Sequence, residues 1–191
     1  EEAVDATRAA LLDSALRLFT ERGFAATSLD DVVRDARVTK GALYHHFTGG
    51  KLALFEAVFE EVDLRLAERT AAAKPEGGTP WEVVHAGLDA YLAACSDPVV
   101  RRIMFQEGPG ALGWSRWREL DGCSSRGLLQ GVLQALMDAG EIRPQPLDLL
   151  TRLLFTTLGE AGMSVAEAGD QDAARAEAKA LMIALLEGLR P

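Results

Sequence analysis

The sequence predicts an all-α chain. Three observations carry that expectation. Apolar residues recur at three- and four-residue intervals through most of the 191 residues, the spacing of one helix face. No run alternates apolar and polar residues as a half-buried strand would, and no internal repeat is visible. Glycine and proline groups, at Gly49-Gly50, from Lys74 to Pro80, and at Pro144 and Pro146, punctuate the helical stretches. Hydrophobic residues make up 48% of the chain, enough for a globular protein of one or two cores.

The first helix is expected over Asp5–Arg22, with Ala10, Leu11, Ala15, Leu18 and Phe19 on one face and Gly23 as its stop. Ser28 followed three residues later by Asp31 forms a capping-box pattern. Leu29, Val32, Val33 and Ala36 then keep helical spacing. A turn over Asp35–Val38 leads to a second cap at Thr39, and to a short helix running from Lys40 to Phe47. Leu43 and Phe47, four apart, can anchor one side of it. Lys40, Gly41, Tyr44 and His45 are left on the other. Two short helices joined by a tight turn, the second presenting a cation, a bare glycine, a phenol and an imidazole, describe a helix-turn-helix reader of DNA. Plain surface helices would not explain Gly41. Glycine inside a helix costs roughly 1 kcal/mol against alanine, and close approach of backbone to a partner is a natural compensation.

These residues carry a resemblance. Leu11–Phe59 resembles the N-terminal domain of the TetR/AcrR family of transcriptional regulators. The matching positions are Leu12, Ala15, Leu18, Phe19, Gly23, Phe24, Thr27, Ser28, Val32, Ala36, Val38, Thr39, Lys40, Gly41, Leu43, Tyr44, His46, Phe47, Lys51, Leu54 and Phe55, spanning about a quarter of the chain, and the run from Thr39 to Phe47 is the most specific part. Two features depart from the pattern. Arg37 stands where the family usually has glycine, which implies a turn that is strained or differently closed. Thr48-Gly49-Gly50 separates Phe47 from Lys51 where two residues are usual. The resemblance implies an N-terminal three-helix DNA-binding domain over residues 1–50 and a helical ligand-binding and dimerisation domain over 51–191. It also implies a dimer on a palindromic operator, released by a small, mainly apolar effector. Lys40, Gly41, Ala42 and His45 are expected at base edges. Thr27, Thr39, Tyr44 and Lys51 are expected on phosphates, with Ser28 beside them at the cap.

After Gly49-Gly50 a long helix is expected from Lys51 to Ala73, carrying Leu52, Phe55, Val58, Phe59, Val62 and Leu66. Thr79 or Pro80 opens the next, with Trp81, Val84, His85, Leu88, Tyr91 and Leu92. A short helix follows over Val99–Glu107. Gly108-Pro109-Gly110-Ala111-Leu112-Gly113 is formally a G-x-G-x-x-G run, but the dinucleotide motif needs a preceding strand, so a flexible loop is expected. Another helix is expected to continue from Trp114 to Ala139. Tryptophans and other large side chains near that loop, Trp81, His85, Met104, Phe105, Trp114, Trp117 and Phe155, are the candidate ligand-binding residues, with the loop as a lid. His85 is expected to be a hydrogen-bonded core or pocket residue, and Glu107 a solvated helix end.

The last two helices, Leu147–Ala168 and Asp172–Leu189, are apolar over more than one face. A terminal helix that is apolar nearly all round needs burial on two sides. Leu150, Leu154, Leu158, Leu181 and Leu185 are therefore expected at a homodimer interface.

Net charge is −9, yet residues 22–51 hold five basic and three acidic residues while residues 52–191 hold 13 basic and 21 acidic. A mildly positive reader on an acidic body excludes a general nucleic-acid coating protein. No apolar run reaches the roughly 18 residues of a membrane span. The sequence begins at Glu1, so residues upstream are expected, and no secretory signal is visible. Cys95 and Cys123 form no C-x-x-C pair, and reduced thiols in a cytoplasmic protein are expected. His45 and His46 are adjacent, so their side chains are expected to point apart and not to form a metal pair. No Ser-His-Asp spacing, H-E-x-x-H or P-loop occurs, so no catalytic residue, metal or cofactor is expected. The alternatives are a DNA-binding regulator, activator or global, without a ligand, and a helical enzyme or carrier with a vestigial helix-turn-helix.

Overall fold

The computed structural model of the chain describes residues 2–122 and 124–191, so the expectation for Cys123 lies outside the described residues. All regular structure among them is helical. The elements are α1 (Glu2–Ala26), α2 (Leu29–Asp35), α3 (Lys40–His46), α4 (Gly50–Ala72), α5 (Pro80–Cys95), α6 (Pro98–Val100), a π-helical stretch (Arg101–Glu107), α7 (Gly108–Leu112), α8 (Trp114–Leu120), α9 (Arg126–Asp138), α10 (Leu147–Glu167) and α11 (Gln171–Glu187). They divide into two compact units. The first is Glu1–Val62 with Arg102–Asp121, the second Asp63–Arg101 with Gly122–Pro191.

Caps set the helix starts where the sequence places them. Ser28 Oγ accepts from the Asp31 amide at 3.1 Å, and the Asp31 carboxylate accepts from the Ser28 amide at 3.3 Å. Thr79 and Glu82 repeat the arrangement at α5, with Pro80 in the first turn. Both pairs satisfy amides that a helix start leaves without partners.

In the first unit, Leu11, Phe19, Leu43, Leu54, Phe55 and Phe59 are fully buried. Phe19, Phe24 and Phe55 meet with ring centroids 5.1 to 5.8 Å apart, and each such side chain stabilises by roughly 1.5–3 kcal/mol. The helix α1 breaks at Gly23, whose φ of +84° suits glycine. A Cβ there would lie 2.6 Å from both Arg102 Nη2 and Glu107 Oε1. Glu107 Oε2 accepts from the Phe24 amide at 2.9 Å while Oε1 pairs with Arg102 at 3.0 Å. Glu107 is thus an internal brace of the α1 corner, not a solvated helix end.

Two expectations about α7 and α8 change. The Gly108–Gly113 segment is helical as far as Leu112, not a loop. Gly108 is buried, and a Cβ on it would meet Trp117 at 2.9 Å and Phe59 at 3.0 Å, so close packing accounts for that glycine. The helix expected from Trp114 to Ala139 is two helices, interrupted at Gly122, where φ is +76°.

In the second unit, α5, α9, α10 and α11 pack around Val84, Leu88, Leu133, Leu136, Ile142, Leu154, Met182 and Leu186. Asp63 on α4 is 2% exposed. Its carboxylate accepts from the Ser124 amide at 2.9 Å and from Ser125 Oγ at 3.4 Å. Gly122 at the head of this loop lies against Phe155, and a Cβ there would fall 1.9 Å from the ring. Burial outweighs these hydrogen bonds and pushes the Asp63 carboxyl up.

Two predictions follow from this packing. Arg37 adopts φ +56° in the turn between α2 and α3. A left-handed non-glycine costs roughly 1–2 kcal/mol, and glycine's extra chain entropy returns roughly 0.5–1 kcal/mol of that. Arg37→Gly should therefore stabilise the fold by about 0.5–1 kcal/mol in chemical denaturation, and a loss would show that the Arg37 side chain compensates its backbone. Asp63, with a folded pKa raised above its ordinary 3.8, contributes most below that pH. Its contribution is lost as pH rises through the raised value. Asp63→Asn should thus gain stability relative to the parent as pH rises above the ordinary carboxylate value; parallel stability–pH curves would contradict this.

Candidate nucleic-acid interface and effector cavity

The reader face is built on α3. Leu43 is fully buried and Phe47 nearly so, which turns the other side of the helix outward. Lys40, Gly41, Tyr44 and His45 are exposed, with Tyr44 at 45%. A Cβ on Gly41 would meet nothing closer than Thr39 Oγ1 at 3.9 Å, so the surface there is open to close approach. Ala42 is half-buried beside it. Thr39 Oγ1 accepts from the Ala42 amide at 3.2 Å, which leaves its hydroxyl proton for an acceptor outside the chain.

The cations are already engaged. Lys40 pairs with Asp30 at 2.8 Å, both exposed, and the Asp30 carboxylate raises the Lys40 pKa. A surface pair of this kind is worth little and can be exchanged for a phosphate or a base edge. Lys51 is half-buried, donates to Ala25 O at 3.3 Å and sits 4.4 Å over the Phe24 ring. Burial lowers its pKa. Its ammonium therefore ties the first turn of α4 to the end of α1.

Thr27 differs from its expected place. It is 1% exposed, and its hydroxyl donates to Gly23 O at 2.9 Å and Leu18 O at 3.2 Å. It braces α1 from inside and offers no outward hydroxyl. Ser28 is exposed but shared with Asp31 in the cap. The His45 and His46 rings do not point apart; they meet edge-on at 5.3 Å. Among the described residues no group of His, Cys, Asp or Glu is arranged to hold a metal ion.

The candidate ligand residues are not brought together. Met104 and Trp117 are buried in the first unit, where Trp117 Nε1 donates to Met104 O at 3.0 Å. Phe105 is half-buried in that unit, and Trp114, 59% exposed, lies against Trp117. In the second unit Trp81 donates to Glu141 at 3.2 Å under Arg190, and His85 is exposed beside it rather than in a core. A cavity of about 510 Å³ does lie in the second unit, and of the candidates it takes only Phe155 as a wall. Its buried walls include Val84, Leu88, Tyr91, Leu133, Leu154, Met182 and Leu186. Nearness in sequence misled here: the chain passes from one unit to the other between Arg101 and Arg102 and back between Asp121 and Gly122. A usable signal was the Gly127 and Gly131 pair inside α9, both lining the cavity with open space where a Cβ would be.

The expected interface leucines also divide. Leu154 is buried, Leu154 and Leu158 line the cavity, and Leu150 packs against the core of the second unit. The outward leucines are Leu149 and Leu153 on α10 and Leu181 and Leu185 on α11, 45% to 61% exposed. The α10 register explains the correction: 150, 154 and 158 share one face, 149 and 153 the next.

An outward α3 on a three-helix scaffold, followed by a helical unit with an apolar cavity, defines a DNA-binding transcriptional regulator with a separate C-terminal helical domain. The family model described as "Bacterial regulatory proteins, tetR family" matches residues 11–58, and "Tetracyclin repressor-like, C-terminal domain" matches residues 81–189; the chain belongs to the TetR family. It is similar to the Transposon Tn10 TetC protein of Escherichia coli, 27% identical over 154 residues, 81% of this chain and 77% of that protein. It is 29% identical over 153 residues to the HTH-type transcriptional regulator AcrR of Shigella flexneri, 76% of this chain and 70% of the relative. A crystal structure of a TetR-family transcriptional regulator from Pectobacterium atrosepticum superposes with a TM-score of 0.82 at 33% identity, covering 100% of this chain and 97% of that one. No helix among the described residues is long and apolar enough to cross a membrane.

Proposed function

We propose that this regulator is a ligand-responsive repressor that binds a palindromic operator as a dimer and is released by a small, mainly apolar effector. Residues up to about 50 read DNA, and the remainder regulates that reading. The observation that carries the proposal is the outward face of α3, where Lys40, Gly41, Tyr44 and His45 stand together above the buried Leu43. Base edges fall to Lys40, Gly41, Ala42 and His45, phosphates to Thr39 and Tyr44. Lys51 joins the phosphates only by giving up the Ala25 carbonyl.

The dimer rests on α10 and α11. Met182 and Leu186 face the interior while Leu181 and Leu185 face outward, so α11 has apolar residues on both sides. Soluble monomers rarely expose contiguous apolar patches, and a two-fold partner is the simplest cover. The named relatives are regulators of transcription, which favours this reading over an enzyme or a carrier. The 510 Å³ cavity supports an effector because it is the size of a drug-like ligand site.

Two experiments test the proposal. In electrophoretic shifts, Tyr44→Phe should weaken matched and scrambled operators alike by about 2–10-fold, the loss of one hydrogen bond. Lys40→Ala should weaken binding to the matched operator and relax the preference at one base pair, as the loss of a base-edge contact does. Unchanged affinity in both would place the reader elsewhere. In sedimentation equilibrium the parent should be dimeric at micromolar concentration. Leu185→Glu, exposed within a single chain, should leave the protomer folded but lose the dimer, because a carboxylate buried without a partner costs about 3–5 kcal/mol. A monomeric parent would sink the dimer.

A further inference from the structure

The lining of the cavity has a chemistry of its own. Its buried walls are aliphatic and aromatic. The polar side chains on it are largely spent. Thr70 Oγ1 donates to Leu66 O at 2.9 Å, and Ser125 Oγ is within 3.4 Å of Asp63. Among the described residues no Asp or Glu lines the cavity, and the one charged side chain that does is Lys74. Lys74 follows the end of α4, is exposed, and has no ion-pair partner among the described residues. Around the opening lie Ala71, Gly127, Leu128 and Gly131, exposed and apolar.

Resting on the reading that the effector occupies this cavity, we infer that the occupant is an amphiphile with an apolar body and a single anionic head. The body fills the space between α5, α9, α10 and α11, and the head meets the Lys74 ammonium at the mouth. The charges decide the class. A cationic head finds no carboxylate on the described lining, and a strongly polar body meets mainly aliphatic and aromatic walls, so burying either costs free energy with little compensation. An anion at the rim gains the Lys74 charge and stays in contact with water. A polyanion is disfavoured by the net charge of −9 on the whole chain. The opening is partly solvated, so the preference is a few-fold and falls with added salt.

The test uses the full chain and the neutral fluorophore N-phenyl-1-naphthylamine, displaced by dodecanoate or by dodecyltrimethylammonium, both below their micellar concentrations. The parent should bind the fluorophore, and dodecanoate should displace it at a concentration at least about threefold lower than the cation does. The ratio of the two midpoints should fall toward one in Lys74→Met, persist in Lys74→Arg, and invert in Lys74→Glu. Circular dichroism of each variant keeps misfolding from passing for lost preference. Leu133→Trp, at a fully buried wall of the cavity, should weaken the fluorophore and both amphiphiles together. Equal midpoints in the parent, or a ratio that survives Lys74→Met, overturn the anionic head and leave the effector cavity standing. Failure of the parent to bind the fluorophore or either amphiphile overturns the cavity reading itself, and this inference with it.

Discussion

The burial of Leu43 and Phe47 is the constraint on which the reader depends. A seven-residue helix such as α3 is too short to persist alone in water, where isolated helices below about 12–15 residues are marginal. It exists because two side chains four apart enter the core of the first unit, beneath α1 and α2. That anchoring also orients it. Once Leu43 and Phe47 point inward, Lys40, Gly41, Tyr44 and His45 have only the outward side. The supports are correspondingly redundant: the Thr39 cap starts the helix, Thr27 ties the end of α1 to its own carbonyls, and Glu107 holds the Phe24 amide at the corner. The outward side can thus carry open, weakly paired groups because none of them is needed to hold the fold.

This division explains why so much of the first unit was legible in the sequence. Caps, glycine stops and i, i+4 anchors act between residues close in the chain. The Ser28 and Asp31 cap and the helix start at Thr79 or Pro80 are legible from the sequence alone. What could not be read was long-range. Glu107 bonding to Phe24 spans 83 residues, and nothing local to Glu107 announces it. Thr27 was expected on a phosphate from the family resemblance, and nothing local announces that its hydroxyl turns inward to Gly23 O and Leu18 O. Asp63 did leave a trace, since it is an acid set among Phe59, Val62 and Leu66 on the apolar side of α4. A buried carboxylate in such a stripe needs donors, and the chain supplies them 61 residues later.

The effector cavity was harder for a different physical reason. Large aromatic side chains mark burial, not emptiness. Trp117 fills space in the first unit and spends its indole N–H on Met104 O, so it signals a packed core. In α9 two exposed glycines four residues apart lie on the cavity lining. Gly108 is the opposite case, where the missing side chain signals crowding, since Trp117 and Phe59 already occupy the place of a Cβ. A glycine in a helix therefore has two opposite meanings, room or congestion, and only the three-dimensional neighbourhood separates them.

The two-faced helices α10 and α11 join the two halves of the functional reading. Leu154, Leu158, Met182 and Leu186 line the cavity, while Leu149, Leu153, Leu181 and Leu185 lie on the outward sides of the same helices. A molecule entering the cavity presses on one face of the elements whose other face is the proposed interface. Packed side chains transmit such pressure because interiors are dense and yield little. Phe155 adds a second route, since it walls the cavity, abuts Gly122 and so touches the loop that Asp63 of α4 holds. A ligand that shifts Phe155 must either displace that loop or be resisted by it. Asp63 lies on α4, which runs from the first unit into the second, and under the proposed function this helix is the element through which an effector would act. The energy required is modest, because a coupling of roughly 1–3 kcal/mol changes an affinity about 5–150-fold. Under the proposed function, reciprocity requires that an effector which weakens DNA binding itself bind less tightly when DNA is bound.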